Sequence, residues 1–181
     1  MARSVPYPAF LSLVGKKTLV VGGGAIAARK ARALARSGAR VRVVAPRVCH
    51  EASRVAERVA RRRFRPGDVA GAALVVCATS DETLNARVSE LCRERGIWAN
   101  VADRPALCDF ILPAVLRRGR LSIAVSTGGA SPFLARRLRL RLERFLTPRD
   151  VRLARTLHAI RPRLLALGVR RRRRALKRLA A

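Results

Sequence analysis

The segment from Lys17 to Pro46 constrains the fold more than any other part of this chain. Lys17-Thr18-Leu19-Val20-Val21 is a short, β-branched apolar run that ends directly in Gly22-Gly23-Gly24. A run of that kind bounded by glycine is the pattern of a buried strand. Residues 25–37 are Ala-rich with basic residues at Arg29, Lys30, Arg32 and Arg36, and Gly38 supplies a helix stop. Residues 41–45 read as a second strand, closed by Pro46. The spacing predicts strand, glycine turn, helix, strand within about thirty residues, which is a βαβ unit.

Downstream, residues 73–78 and 97–101 read as further buried strands. Thr79-Ser80-Asp81-Glu82 reads as the cap and first turn of a helix over 83–95, stopped by Gly96. Residues 51–63 fit either a helix or a basic, irregular connection. Strands alternating with helices over short links predict an α/β fold, a Rossmann-like doubly wound parallel sheet. The pattern changes after Pro113. Residues 121–126 alternate like a strand, 127–132 form a turn, and 133–146 form a helix broken by Thr147-Pro148. Residues 149–181 have helical periodicity but carry Pro162, Gly168 and five consecutive arginines, Arg170 to Arg174.

Gly22-Gly23-Gly24-Ala25-Ile26-Ala27 fits G-x-G-x-x-G/A, and it lies between a strand and a helix, as a dinucleotide fingerprint requires. On this reading Gly22 permits the tight turn and Gly24 lets the backbone approach a diphosphate. Ala27 is small enough for close packing of helix on sheet. The helix N-terminus offers free N–H groups to the phosphates. A tight turn with no ligand is the alternative. The acidic residue expected at the end of the second strand is replaced by Ala45-Pro46-Arg47. Either Arg47 meets a 2′-phosphate, favouring NADP, or backbone groups near Pro46 hold the adenosine of NAD.

Composition narrows the partners. The 181 residues hold 40 Lys+Arg against 11 Asp+Glu, a net charge of +29, and half are hydrophobic. That hydrophobic share excludes a disordered polyelectrolyte. No apolar run approaches the ~20 residues of a membrane span. Lysine occurs only at Lys16, Lys17, Lys30 and Lys177, so arginine spread along the whole chain carries the charge. Aromatics make up 4% and do not interleave with basic stretches, so nucleic acid is not the expected partner. Attraction of small polyanions is expected instead. Cys49, Cys77, Cys92 and Cys108 form no C-x-x-C pair, which fits reduced thiols and a cytoplasmic protein. The start of the chain shows no apolar signal core, in keeping with that expectation. His50 and His158 stand far apart without ligand spacing, so no metal site is expected.

Six segments, in order over residues 7–146, resemble the precorrin-2 dehydrogenase family, the dehydrogenase module of siroheme synthases. They are Tyr7-Pro8-Ala9-Phe10-Leu11-Ser12-Leu13, the stretch from Gly22 to Lys30 (G-G-G-A-I-A-A-R-K), and Ala78-Thr79-Ser80-Asp81-Glu82-Thr83-Leu84-Asn85. Asn100-Val101-Ala102-Asp103, Phe110-Ile111-Leu112-Pro113-Ala114 and Val125-Ser126-Thr127-Gly128-Gly129-Ala130-Ser131-Pro132 complete the set. The resemblance implies NAD-dependent oxidation of precorrin-2, a tetrapyrrole polycarboxylate, to sirohydrochlorin. It also implies a homodimer that exchanges contacts through the region after Pro113. Some relatives also insert ferrous iron, which leaves ferrochelatase activity open here. The expected division is a NAD-binding Rossmann-like domain over 1–112, a dimerisation domain over 113–147 and a short Arg-rich helical tail over 148–181.

The chemistry needs a proton acceptor. Glu51, Glu57, Asp68, Glu82, Glu90, Glu94, Glu143 and Asp150 fall on expected surface helices or connections, and Asp81 reads as a helix cap. Asp109 stays a candidate as a loop residue. Asp103 follows a strand's carboxyl end, the edge where open α/β sheets bind ligands. A turn role before Arg104-Pro105 is the alternative. The resemblance carries the family's catalytic aspartate onto Asp103. Thr79 is expected near the nicotinamide side, or as a plain helix N-cap. Asn100 either orients the Asp103 loop and contacts substrate or is a satisfied structural amide. Ser126, Thr127 and Gly128 are expected to bind a substrate carboxylate, with a capped hinge as the alternative. Thr127 matches a position viewed as a modification site in some relatives. Arginines of residues 149–163 are read as a substrate cover and Arg170 to Arg174 as a solvated tail. The competing function class is a dinucleotide-binding sensor whose basic tail holds nucleic acid or an acidic partner.

Overall fold

The computed structural model describes residues 6–180. They form two compact units, one ending at Ile111 and the other beginning at Leu112. In the first, β1 (Lys17–Val21), α1 (Ala25–Arg36) and β2 (Arg40–Val44) build the expected βαβ unit. Next come α2 (His50–Val55), β3 (Arg58–Ala60) and a 3-10 turn at Pro66–Val69. β4 (Leu74–Cys77), α3 (Glu82–Glu94), β5 (Trp98–Val101) and a second 3-10 turn at Pro105–Leu107 complete the unit. The sheet order is β3-β2-β1-β4-β5 and every pairing is parallel. This is the strand order of a Rossmann fold, with its crevice where the order reverses beside β1.

Residues alternate between two buried faces. Leu19, Val21, Val44, Val75 and Cys77 pack on one side with Val88 and Cys92 of α3. Val20, Val41, Val43, Leu74 and Val76 pack on the other with Ala27 and Ala31 of α1. A parallel sheet covered on both faces explains the continuous apolar runs in the sequence. Each fully buried valine contributes about 1.5–3 kcal/mol relative to exposure.

Two expectations change in this unit. Residues 51–63 do not form one helix or one irregular connection. They divide into α2 and the short edge strand β3, whose three residues are followed by Arg61, Arg62 and Arg63. Charge beside a short strand is how an exposed sheet edge is kept from pairing further, and it hides the strand from an apolar pattern. Asp68 is not a surface acid but is 5% exposed. Arg62 grips both its carboxylate oxygens at 2.8 and 2.7 Å, the Arg65 amide donates to it at 2.8 Å, and Arg42 reaches it at 3.2 Å. The Arg62 guanidinium, with help from the Arg65 amide, holds the carboxyl below its usual range.

In the second unit, β6 (Ala114–Arg118) and β7 (Leu121–Val125) form an antiparallel hairpin. β6 had no counterpart among the expected strands, because two arginines end a run of only three apolar residues. Gly119 opens the two-residue hairpin loop with φ +58°, as a II′ turn requires. α4 (Pro132–Glu143), α5 (Pro148–Leu165) and α6 (Val169–Ala180) follow. Ser131 caps α4, and a capping box of Thr147 with Asp150 starts α5. Pro162 lies inside α5 rather than ending it, and Gly168 lies between α5 and α6.

Candidate active site

The carboxyl ends of β1, β4 and β5 leave the sheet side by side. Hydrogen bonds just past the strands keep the exits in line. Gly22 N donates to Val44 O at 3.0 Å, Ala78 N to Val21 O at 2.8 Å, and Ala102 N to Cys77 O at 2.9 Å. The glycine turn, the Thr79 loop and the Asp103 loop therefore stand in one row, two strand spacings or roughly 10 Å long.

The three glycines have three different tasks. A Cβ on Gly22, whose φ is +124°, would collide with the Ala78 carbonyl. A Cβ on Gly23 would collide with the Arg47 carbonyl and lie 2.9 Å from Val48 Cα. Only Gly24 faces open space, with nothing within 4 Å of its would-be Cβ. So Gly22 and Gly23 let the β4 and β2 exits close on the turn, and Gly24 leaves room for a ligand. Gly24 is also the N-cap of α1, with no side-chain cap and no acid in the first turn. Gly24, Ala25 and Ile26 are exposed. Uncapped N–H groups and an open approach suit a dinucleotide diphosphate. The residues present fit the cofactor.

Past β2, Pro46 and Arg47 are exposed, and the Arg47 main chain lies against Gly23. Cys49 N donates to Gly23 O at 2.8 Å, which ties this loop to the glycine turn.

Asp103 is exposed and is the one non-glycine residue with positive φ (+59°) among the described residues. Asp tolerates that conformation better than most side chains, so the chain turns sharply here at modest cost. Lys30, on α1, faces the same loop. Burial and Arg29 push its ammonium below the usual lysine range, while the Asp103 carboxylate and Cys108 push it back up. Nothing in the sequence reading gave Lys30 a role, although it ends the G-G-G-A-I-A-A-R-K segment.

Thr79 is not a helix N-cap. Asp81 takes that position, accepting from Leu84 N at 2.9 Å. The Thr79 hydroxyl instead donates to Asn85 Oδ1 at 2.9 Å and accepts from Asp81 N at 3.1 Å. Asn85, 5% exposed, returns a bond from Nδ2 to Thr79 O at 3.1 Å. The pair fixes the β4 exit. Asn85 closes the A-T-x-D-x-x-x-N pattern, and its one-turn spacing from Asp81 was the available signal.

Asn100 is 7% exposed and donates from Nδ2 to Phe110 O at 2.8 Å. Its amide braces the loop after β5. Asp109 accepts from Ala99 N at 2.8 Å and donates its own N–H to Ala99 O at 2.9 Å, so it extends the edge of β5. Arg104 pairs with Glu82. No group of three or more His, Cys, Asp or Glu side chains is placed to hold a metal ion among the described residues.

Ser126, Thr127 and Gly128 belong to the second unit. The Thr127 hydroxyl accepts from Ser131 N at 3.0 Å and donates to Ser131 O at 3.1 Å. Ser126 Oγ accepts from Gly128 N at 3.1 Å. Both hydroxyls thus shape the turn before α4, and Gly128 and Gly129, with φ +63° and +85°, are exposed at its tip.

Residues 9–114 match the family described as "Putative NAD(P)-binding", and residues 118–144 match the central region of sirohaem biosynthesis proteins. A siroheme synthase of Pseudomonas paraeruginosa is 49% identical over 143 residues, covering 77% of this chain and 31% of the relative. One from Thioalkalivibrio sulfidiphilus is 47% identical over 152 residues, with 82% and 31% covered. The chain thus spans about a third of the length of these relatives. Among solved structures, SirC, a precorrin-2 dehydrogenase, superposes with a TM-score of 0.79 at 30% identity, covering 97% of this chain and 90% of SirC. The matched NAD(P)-binding region and the near-complete overlap with SirC establish that this chain belongs to the precorrin-2 dehydrogenase and siroheme synthase family.

Proposed function

We propose that the chain oxidises precorrin-2 to sirohydrochlorin with NAD, as a step in siroheme formation. The observation that carries this reading is the placement of Asp103. It projects from the carboxyl edge of β5, in the same row as the open glycine cradle, and is held in a left-handed turn. A sensor needs no proton acceptor at that place. Bound NAD would supply the hydride-accepting chemistry of the reaction.

The chain's own residues do the rest. Gly24 and the first turn of α1 hold the diphosphate, and the main chain at Pro46 and Arg47 borders the adenosine side. Thr79, locked by Asn85, walls the cleft between the glycine turn and Asp103. The Asp103 carboxylate accepts the proton that the macrocycle loses as the hydride departs, which completes a two-electron aromatisation. The Lys30 ammonium, which faces the same loop, attracts the substrate's own carboxylates. Exposed arginines add to that attraction.

We also assign substrate contact to the tip of the Ser126-Thr127-Gly128 turn, where Gly128 and Gly129 are exposed. Residues 113–147 are assigned to dimerisation and 148–181 to a cover and tail. Phe133 and Phe145 in this region are 75% and 76% exposed, and a second copy of the chain is the proposed partner. No described helix is long and apolar enough to cross a membrane, and a cytoplasmic site of action is part of the proposal.

The test is anaerobic incubation of the chain with enzymatically prepared precorrin-2 and NAD. Sirohydrochlorin and NADH formed in equal amounts support the reading. Substrate consumed only at the rate seen without protein refutes it. Light scattering that gives twice the chain mass, and a single chain mass for a variant with charged residues at Phe133 and Phe145, tests the dimer.

A further inference from the structure

The turn that presents Asp103 is weakly closed by its own backbone. Arg104 N reaches Val101 O at 3.3 Å, and among the described residues no side chain donates to the Asp103 carboxylate at hydrogen-bond distance. A left-handed aspartate in an exposed turn is kept in one conformation by what packs around it. One side chain touches the backbone on both sides of it. The Cys108 sulfur lies 3.2 Å from Val101 N and 3.2 Å from Val101 O, and 3.3 Å from Arg104 O. Asn100 Nδ2 adds a contact at 3.5 Å.

Cys108 is itself anchored. Its N–H donates to Pro105 O at 3.1 Å, and the next residue, Asp109, is tied to Ala99 through two bonds. The segment after Asp103 therefore folds back along β5 and presses the thiol into the concave side of the turn. Sulfur suits this place. It accepts from Val101 N and donates its one proton to a carbonyl, at the longer distances natural to sulfur. Burial, with Asp109 nearby, raises the thiol's pKa, so the proton needed for donation is present at neutral pH.

We propose that Cys108 is a positioning residue, whose thiol holds the turn from Val101 to Arg104 so that Asp103 stays in its left-handed conformation facing the cofactor edge. The consequence for catalysis rests on the dehydrogenase reading above; the consequence for the turn does not. Without the thiol, the turn relaxes toward conformers in which the carboxylate leaves its place, and turnover falls while dinucleotide binding is kept.

The test compares the full chain with Cys108→Ala and Cys108→Ser in three measurements. The first is amide hydrogen exchange by NMR. Exchange at Val101, whose N–H donates to the thiol, is expected to rise at least tenfold in Cys108→Ala and to stay within threefold of the parent in Cys108→Ser, with the amides of Gly22 to Ala27 unchanged. The second is steady-state kinetics. The kcat of Cys108→Ala is expected to drop about tenfold or more, equivalent to about 1.4 kcal/mol, with restoration to within threefold in Cys108→Ser. The third is NAD titration, with Kd expected within twofold for both variants. Unchanged exchange in Cys108→Ala overturns the proposal. So does an unchanged kcat in an active parent, or parallel loss of NAD affinity and kcat, which is the mark of a general packing role. An inactive parent instead refutes the dehydrogenase reading, and the exchange rates still decide whether Cys108 holds the turn.

Discussion

Gly23 and Gly24 are adjacent and chemically identical, yet a single methyl group should act on them in opposite ways. Neither has a positive φ, so an alanine at either site meets no backbone strain, and only space distinguishes them. At Gly23 the new carbon would collide with Arg47 O and sit 2.9 Å from both Arg47 C and Val48 Cα. Ordinary carbon contacts lie near 3.5–4.0 Å, so the two carbons alone ask the loop after β2 to retreat by roughly 0.6–1 Å, and the closer Arg47 carbonyl oxygen asks for more. Overpacking of this kind costs about 1–3 kcal/mol. The retreat also strains the 2.8 Å bond from Cys49 N to Gly23 O, worth about 0.5–1.5 kcal/mol. The sum, about 2–4 kcal/mol, lowers the Tm by roughly 5–15 °C for a chain of this size.

Gly24→Ala meets nothing within 4 Å. Its loss as an N-cap is small and is offset by the reduced freedom of the unfolded chain, so Tm should move by no more than about 2 °C. The methyl group does project into the space assigned to the diphosphate, and a loss of about tenfold or more in NAD affinity is expected, about 1.4 kcal/mol. Calorimetry for both variants, with NAD titration of each, checks the pair. Gly24→Ala binding NAD like the parent would refute the placement of the diphosphate, and Gly23→Ala melting with the parent would refute the packing argument.

Further outcomes follow from other sites. Asp68→Asn should cost about 2 kcal/mol, because a buried charge-assisted pair is lost while the arginine heads stay about one-third exposed. The native carboxyl of Asp68 titrates below its usual value, so its contribution is present above about pH 4 and disappears as pH falls further. Urea melts of parent and variant should therefore differ at pH 7 and converge toward pH 2; a constant difference would contradict the assignment. Cys77 and Cys92 are fully buried, with burial pushing their thiols up to about 12 and about 11. At pH 8 the thiolate fractions are roughly one in 10⁴ and one in 10³. A thiol reagent should thus label Cys49 in the folded chain and reach Cys77 and Cys92 only on unfolding. Ser131→Ala removes the cap of α4 and should cost about 1 kcal/mol, measured as lower helicity and Tm with NAD affinity unchanged.

Much of the first unit was legible because its chemistry is local. The β1 run, the glycine turn and α1 follow one another without interruption, and each excludes other readings of its neighbours. Asp81 was recognisable as a cap because capping acts over three residues. What the sequence concealed depends on distant partners. Asp68 looks like any surface acid until Arg62, Arg42 and the Arg65 amide converge on it. Gly23 looks like part of a phosphate loop until the Arg47 carbonyl is found against it. Thr79 and Asn85 bond to each other across a helix start, which no pattern of hydrophobicity encodes. β3 and β6 were missed because arginines interrupt both, and in an edge strand or hairpin the backbone pairing decides the structure. The bracing of the Asp103 turn by Cys108 was equally hidden, since sulfur-to-backbone contacts leave no trace in composition.

Replacing Asp103 by Asn probes the central claim most directly. Asparagine has nearly the same shape and also accepts a left-handed turn, so fold and cofactor affinity should survive while the proton acceptor is lost. Under anaerobic conditions with precorrin-2 and NAD, the account predicts that the variant binds NAD with unchanged affinity and forms NADH at least about 10²-fold more slowly than the parent. Asp103→Asn forming NADH at the parental rate would contradict it.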